Sequence, residues 1–217
     1  DHGLPMSPFK SCVVPRPIAW ISTISRNGIC NLAPYSQFQN LTFDPPYVMI
    51  SINQTTKGKR KDTAENIEQN GEFVYNMCTY DLRQEVNKSA AELPPEIDEF
   101  ELVGVTKVAS IKVKPFRVGE SPIQFECVYT QTIRLPGAGA QGTVDVIIGK
   151  VVMVHIKDDV ITNGRIDIPK IRPLARLGYW DYTTVDSSFE MVIPGDNDDL
   201  LVGLQGAKQE EQYNEIS

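Results

Sequence analysis

Between Tyr47 and Asn53, Val48, Ile50 and Ile52 alternate with Met49 and Ser51, the two-residue period of a strand that turns one face to a core. Ile18 to Ser25 reads as an earlier strand. It closes at Arg26-Asn27-Gly28, whose Asn-Gly pair signals a hairpin because both residues tolerate positive φ. Cys30 to Asn40 is then the returning strand, and the Asp44-Pro45-Pro46 corner leads into Tyr47, so three strands are neighbours. A helix is predicted from Asp62, where Asp62-Thr63-Ala64-Glu65 has the pattern of a capping box and Ala64, Ile67 and Glu68 continue at helical spacing to a stop at Gly71. Phe73 to Cys78 reads as a strand, and Leu82 to Ala91 as a second helix ended by Leu93-Pro94-Pro95. Ile111 to Phe116, Ile123 to Leu135 and Val144 to Ile156 return to β and are long enough to wrap a barrel, while Ile161 to Arg165 carries a second turn signal at Asn163-Gly164. The pattern favours a mainly β, antiparallel domain with a few short helices over alternating βαβ units. Beyond Arg172, Gly178, Tyr179, Trp180 and Tyr182 crowd into a less regular segment, expected to pack on the barrel or on a second subunit.

At 217 residues one domain is expected, over residues 1–195, with enough core to dispense with disulfides. Most of the net charge of −7 sits in residues 196–217, where six acids face Lys208 alone. That acidic tail is expected to be mobile or docked on a partner. Nucleic acid is disfavoured as a partner, because the short basic run Lys57-Gly58-Lys59-Arg60-Lys61 is too small for a duplex footprint and suits a single small anion. No window approaches the ~18 apolar residues of a membrane span, and Asp1-His2-Gly3-Leu4-Pro5 lacks the pattern of a secretory signal, so no membrane association and a cytoplasmic address are expected. Cys12, Cys30, Cys78 and Cys127 have neither redox-pair nor zinc-site spacing, and buried, inert thiols are expected. His155 lies in the apolar run Val151 to Ile156 and reads as a structural histidine. Gly137-Ala138-Gly139-Ala140-Gln141-Gly142 matches G-x-G-x-x-G, yet strand residues follow Thr143 where a dinucleotide site needs a helix. A hairpin loop is therefore expected.

Two stretches carry candidate chemistry. Thr55 to Thr63 leaves a strand and enters a helix with four cations and several hydroxyls. Helix-start amides, the positive end of the helix dipole, Lys61 and the Thr63 hydroxyl suit a terminal phosphate; the same residues also suit a solvated lysine-rich loop capped by Asp62. Asn31-Leu32-Ala33-Pro34-Tyr35-Ser36 interrupts a strand with a proline, which belongs on edges and bulges. Small Ala33 and Pro34 would let a flat ring lie on the backbone, with Tyr35, Ser36 and Asn40 adding polar contacts; a plain protected edge strand is the alternative.

Taken together, Pro15-Arg16-Pro17-Ile18-Ala19-Trp20-Ile21-Ser22-Thr23, the Asn31 to Ser36 block, Asp44-Pro45-Pro46 and Lys61-Asp62-Thr63-Ala64-Glu65-Asn66-Ile67 resemble the flavin reductase-like family. Glu120-Ser121-Pro122, Gly149-Lys150-Val151-Val152 and Arg172-Pro173-Leu174-Ala175-Arg176-Leu177-Gly178 also fit, so the resemblance covers roughly residues 8 to 182. It implies an antiparallel Greek-key split β-barrel that binds FMN, usually as a homodimer, as in flavoredoxins and the reductase components of two-component monooxygenases. It implies that Asn31, Leu32, Ala33, Pro34, Tyr35, Ser36 and Asn40 line the flavin, with backbone groups of Leu32 and Ala33 near its ring. Ser51, Ile52 and Asn53 would flank it, Lys61 and Thr63 would hold its phosphate, and Arg176 would meet the cofactor or the partner subunit. Trp20, Tyr179 and Trp180 are expected either to shield the ring or simply to pack.

The implied activity passes hydride from NADH or NADPH to flavin N5 and electrons onward to an acceptor, a partner monooxygenase or another redox protein. No acid–base residue and no metal is needed, since the cofactor carries the chemistry. An electron carrier without pyridine-nucleotide activity is the first alternative, and a flavin-free interaction module using the acidic tail the second. Lys61 and Thr63 are expected on the surface of a preformed pocket, so that replacing both would leave the fold intact.

Overall fold

The computed structural model describes residues 2–191, so the acidic stretch 196–217 lies outside the described residues. Strands β1 (Arg16–Pro17), β2 (Ala19–Ile24), β3 (Cys30–Tyr35), β4 (Phe38–Phe43) and β5 (Pro46–Asn53) precede helix α1 (Asp62–Asn70) and β6 (Glu72–Met77). Short helices α2 (Arg83–Lys88) and α3 (Glu99–Val103) and the small pair β7 (Lys107–Val108) and β8 (Arg117–Val118) lead to the long hairpin of β9 (Ile123–Leu135) and β10 (Val144–Ile156). The pair β11 (Ile161–Thr162) and β12 (Arg165–Ile166), helix α4 (Ile168–Ile171), and strands β13 (Leu174–Gly178) and β14 (Asp181–Thr184) follow. Among the described residues, no helix is long and apolar enough to cross a membrane.

Seven strands form one antiparallel sheet in the order β3-β2-β6-β9-β10-β5-β4. Laid flat, its outer strands would stand about 29 Å apart. Yet Tyr35 ends one edge and Phe38 begins the other, and three peptide steps span at most about 11 Å. The sheet must therefore roll until its edges meet at Ser36-Gln37, where the Ser51 amide donates to the Gln37 carbonyl at 2.8 Å. The result is a mainly β, antiparallel split barrel.

The roll gives β2 two buried faces. Ala19 and Ile21 point inward with Val48, Ile50, Ile52, Phe73, Tyr75 and Ile147, while α1 plugs the interior with Ala64 and Ile67. Trp20 points outward, packing with Leu32, Val86, Phe100 and Leu174 in a second cluster. Burial on both faces is why Ile18 to Ile21 reads as a continuous apolar run, whereas β5, with alternate residues buried, keeps a period of two. A smaller sheet in the order β1-β13-β14 gives the segment after Arg172 more regularity than its sequence suggests.

Several expected elements differ. Cys30 to Asn40 is two strands, because the barrel turns its corner at Ser36-Gln37. Lys61, not Asp62, is the N-cap of α1, and no side chain caps it, so the capping box does not form. The second helix covers only Arg83–Lys88, and α3, capped by the Asp98 carboxylate at the Phe100 and Glu101 amides, was not foreseen. Ile111 to Phe116 is not a strand. The amides of Ile111, Lys112 and Val113 all turn to the fully buried Glu126 carboxylate, which no alternating strand permits. The glycine-rich stretch is indeed the β9–β10 hairpin loop, with Leu135 paired to Val144 at its base.

Glu126 also meets His155 Nε2 at 2.6 Å, which makes His155 a structural residue. Burial opposes ionisation of Glu126, but the donors of Ile111, Lys112 and His155 outweigh it and hold its carboxyl below the usual glutamate range. Its contribution is therefore present above the ordinary value of about pH 4 and lost as pH falls through the depressed native value. Glu126→Ala is expected to lower stability by about 2–4 kcal/mol in urea unfolding, and Glu126→Gln to flatten the acid limb of the stability profile. An unchanged profile would show that Glu126 does not hold this loop.

Candidate functional site

Register explains the proline in β3. Trp20 pairs with Pro34 and Ser22 with Leu32, and the Leu32 amide turns away from β2 to Glu99 Oε2 at 3.1 Å. Pro34, two residues on, likewise directs its nitrogen outward, so its missing N–H costs no ladder bond. This outward edge forms one wall of a cavity of about 460 Å³, within the size range of small-molecule sites. Ala33 and Pro34 supply a small, flat apolar surface there, and the turn Thr55 to Lys61, the start of α1 and the segment Ser89 to Leu93 enclose it.

The turn is tight. The Gly58 amide bonds to the Thr55 carbonyl at 2.9 Å and the Thr55 amide to the Lys59 carbonyl at 2.8 Å, with Gly58 at φ 73°. Past it, the Ala64 and Glu65 amides both turn back to the Lys61 carbonyl, leaving the Asp62 and Thr63 amides at the helix start with no intrahelical acceptor. The turn already grips a carboxylate: Glu92 accepts from the Thr56 amide at 3.1 Å and hydroxyl at 2.8 Å, and lies 3.9 Å from Lys61 Nζ. Those Thr56 hydrogen bonds, with Lys61 and Lys57 nearby, pull the Glu92 carboxyl down.

Not every cation of the run is free. Arg60 is held by Glu68 at 2.7 Å and by Asp145 at 2.8 Å, and the nearly buried Asp145 is shared with Arg134. Asp62 and Glu99 bring negative charge to the wall, but burial pushes both carboxyls up, reinforced at Asp62 by Glu65 and Glu96 and partly offset at Glu99 by Asn31 and the Leu32 amide. The donor set fits a phosphate monoester: two helix-start amides, Lys59 and Lys61, with an apolar wall adjacent for a ring.

Beneath the cavity runs a buried hydrogen-bond chain. Tyr35 Oη donates to Thr63 Oγ1 at 2.8 Å, Thr63 donates to Asn31 Oδ1 at 2.7 Å, and Asn66 Nδ2 donates to Thr23 Oγ1 at 3.1 Å. Burial pushes the Tyr35 phenol up. Thr63 lines the cavity, but at 1% exposure and bonded to both Tyr35 and Asn31 it is also a structural node, so its replacement would disturb the fold rather than leave it intact.

Of the candidate residues, Asn31, Ala33, Pro34, Tyr35, Lys61 and Thr63 meet in this cavity. Ser36 and Arg176 line the adjoining one, which shares Pro34 and Ala90 with it. Leu32 and Ile52 send their side chains into the two cores, and the Leu32 amide is occupied by Glu99. Ser51 lines a third cavity with Ser36 and Phe38. Asn40 is exposed on β4 and bonded to Gln39, and Asn53 Nδ2 holds the Gln141 carbonyl of the glycine-rich loop at 2.9 Å. Trp20 is fully buried with Nε1 on Ser89 Oγ, so it packs and shields nothing, and Cys12 is exposed, unlike the other three thiols. Sequence reasoning missed Glu92 and Glu99; only the fold brings those distant positions to the edge of β3.

A rolled antiparallel sheet with a preformed cavity between its edge strand and a turn that holds a carboxylate defines a split-barrel protein whose cavity has donors suited to a small anion. Residues 11–183 match the flavin reductase like domain, and the chain belongs to that family. An uncharacterized protein of Halalkalibacterium halodurans is 37% identical over 84% of this chain and 87% of its own. Nitrilotriacetate monooxygenase component B from Bacillus cereus superposes with a TM-score of 0.78 at 31% identity, covering 88% of this chain and all of that one. A structure with a split barrel domain from Shewanella frigidimarina gives a TM-score of 0.75 at 25% identity over 86% of this chain and 90% of that one.

Thr63→Val strands the Tyr35 hydroxyl and leaves Asn31 Oδ1 only the longer bond from Thr23 Oγ1 at 3.3 Å, and is expected to cost about 2–3 kcal/mol, whereas Thr63→Ser keeps both bonds and loses about 1 kcal/mol for one methyl. Denaturant midpoints measure the difference; equal losses would remove the hydroxyl from the network.

Proposed function

We propose that the chain binds FMN in this cavity and works as an NADH- or NADPH-dependent flavin reductase, passing electrons to an acceptor, a partner monooxygenase or another redox protein. The observation that carries this reading is the meeting in one cavity of a turn that grips a carboxylate and a flat apolar wall at a strand edge. The phosphate takes the place of the Glu92 carboxylate at Lys61 and Thr56, with the Asp62 and Thr63 amides completing its shell. Glu92 is exposed and its contact with Lys61 is long, so the exchange sacrifices little. Ala33 and Pro34 carry the ring, and Asn31, fixed through Thr63 and Tyr35, sets the polar edge beside it. Bound flavin supplies the hydride-accepting centre, and the residues around it position the ring and exclude water.

A homodimer accords with the largely exposed Phe9 and Val13, which line one surface cavity with Ser36 and Ser51 and leave apolar surface for a second copy.

Lys61→Gln is expected to weaken FMN binding by about 10- to 100-fold, the worth of one charge-assisted hydrogen bond, and to leave riboflavin binding unchanged, since riboflavin lacks the phosphate. Flavin fluorescence quenching reads both; equal effects on the two ligands would remove Lys61 from the phosphate site. Anaerobic NADH or NADPH should bleach the bound flavin's absorbance. Bleaching only by a reduced protein donor would define an electron carrier instead, and failure to bind FMN would overturn the proposal.

A further inference from the structure

Strand β1 pairs with β13 in a register that sets Arg16 directly opposite Arg176. Like charges facing each other across an antiparallel pair destabilise it, and this pair has no compensation. Among the described residues, neither Arg16, Arg176 nor the neighbouring Lys10 forms an ion pair with a carboxylate, whereas Arg60, Lys107 and Arg134 each do. Arg16 is 8% exposed; its guanidinium donates to the Val13 carbonyl at 3.0 Å and to the Lys10 carbonyl, and its Nε has no partner. Burial, then the charge of Arg176, lowers its pKa. Arg176 is held by the Tyr179 carbonyl and lies 4.4 Å over the Tyr182 ring, which fixes its direction without neutralising it.

The three cations line one cavity of about 390 Å³. It adjoins the site proposed for FMN, with Pro34 and Ala90 common to both, so a molecule held here lies across Pro34 from the ring. A like-charged pair with one member buried and no acid beside it is costly unless an anion arrives to separate the charges. Two arginines and a lysine match a group with several negative oxygens better than a single carboxylate, because two planar forks and a point charge supply more donors than one carboxylate accepts.

We propose that Lys10, Arg16 and Arg176 form the site for the pyrophosphate of the pyridine nucleotide that reduces the flavin. The assignment rests on the flavin reading above and adds the place where the donor is held. Pyrophosphate is common to NADH and NADPH, so the cluster serves either. Its position beside the flavin cavity, rather than within it, lets cofactor phosphate and donor pyrophosphate bind together.

Arg176 is half-exposed and Lys10 exposed, so both tolerate replacement better than Arg16. In FMN-loaded protein mixed anaerobically with NADH, Arg176→Gln is expected to raise the apparent Kd for NADH about tenfold, the worth of one charge-assisted contact, with FMN affinity within about twofold of wild type. Lys10→Gln shifts it in the same direction by less. Calorimetry with inorganic pyrophosphate on flavin-free protein tests the cluster alone: binding should weaken in Arg176→Gln and persist in Lys61→Gln. Unchanged NADH affinity in Arg176→Gln overturns the proposal, as does an effect confined to the electron acceptor. Pyrophosphate binding indifferent to Arg176 also overturns it, whatever flavin does. Should FMN fail to bind while pyrophosphate binds through Arg176, the flavin reading falls and the anion site stands.

Discussion

Two residues, Ser36 and Gln37, separate the opposite edges of a seven-stranded sheet, and that short span dictates the rest of the molecule. It forces the sheet to roll, which buries Ile50, Ile52 and Ile147 inside and leaves β3 as an edge whose outward groups need partners. The Leu32 amide is met by Glu99, and Pro34 removes the next outward N–H altogether. The cavity exists because α1 and the segment Ser89 to Leu93 cover this edge only in part. Loosening the corner would release both edges, and with them the wall on which Ala33 and Pro34 lie.

The floor of the site is held by a different kind of force. Tyr35, Thr63 and Asn31 come from an edge strand and a helix start, and hydrogen bonds of 2.7–2.8 Å join them out of solvent. A buried network is rigid only while every member is satisfied. Asn31 therefore stands in one place, and the first turn of α1, with the Asp62 and Thr63 amides that lack an intrahelical acceptor, is fixed relative to β3 without help from a ligand. Preorganisation of this sort lowers the ordering cost of binding.

Much of this was legible from residue pattern. The alternation in β5, the long β9–β10 hairpin and the helix ending at Gly71, whose φ is 74°, follow from local chemistry. Two Asn-Gly pairs show where local chemistry stops. At Asn163-Gly164 both residues take positive φ and two residues join paired strands, while at Asn27-Gly28 only Gly28 does, because five residues separate Ile24 from Cys30. The dipeptide marks the hairpin, but strand register selects the turn. Ile111 to Phe116 misled for another reason: its apolar residues suit a strand, yet a single buried carboxylate fifteen residues from Ile111 captures its amides. Glu92 was invisible because nothing in sequence ties it to Thr56, its partner thirty-six residues away.

Charge pairing decides which cations are available, and residue counts do not. A basic run of four looks like a uniform anion trap, but Arg60 is committed to Glu68 and to Asp145, which is 4% exposed. Pulling Arg60 away would leave the buried Asp145 to the half-exposed Arg134 alone and break the contact with Glu68 as well, a loss that a solvated phosphate contact does not offset. Lys61, whose partner is an exposed glutamate at 3.9 Å, is recruited at little cost, and Lys57 and Lys59 form no ion pair among the described residues. The same sorting separates Arg134 and Lys107, which are structural, from Arg16 and Arg176, which face each other uncompensated. Around Pro34 the cations thus divide by whether a buried acid already claims them: Lys59 and Lys61 line the cavity on one side and Lys10, Arg16 and Arg176 the adjoining one, none of them held by a buried carboxylate.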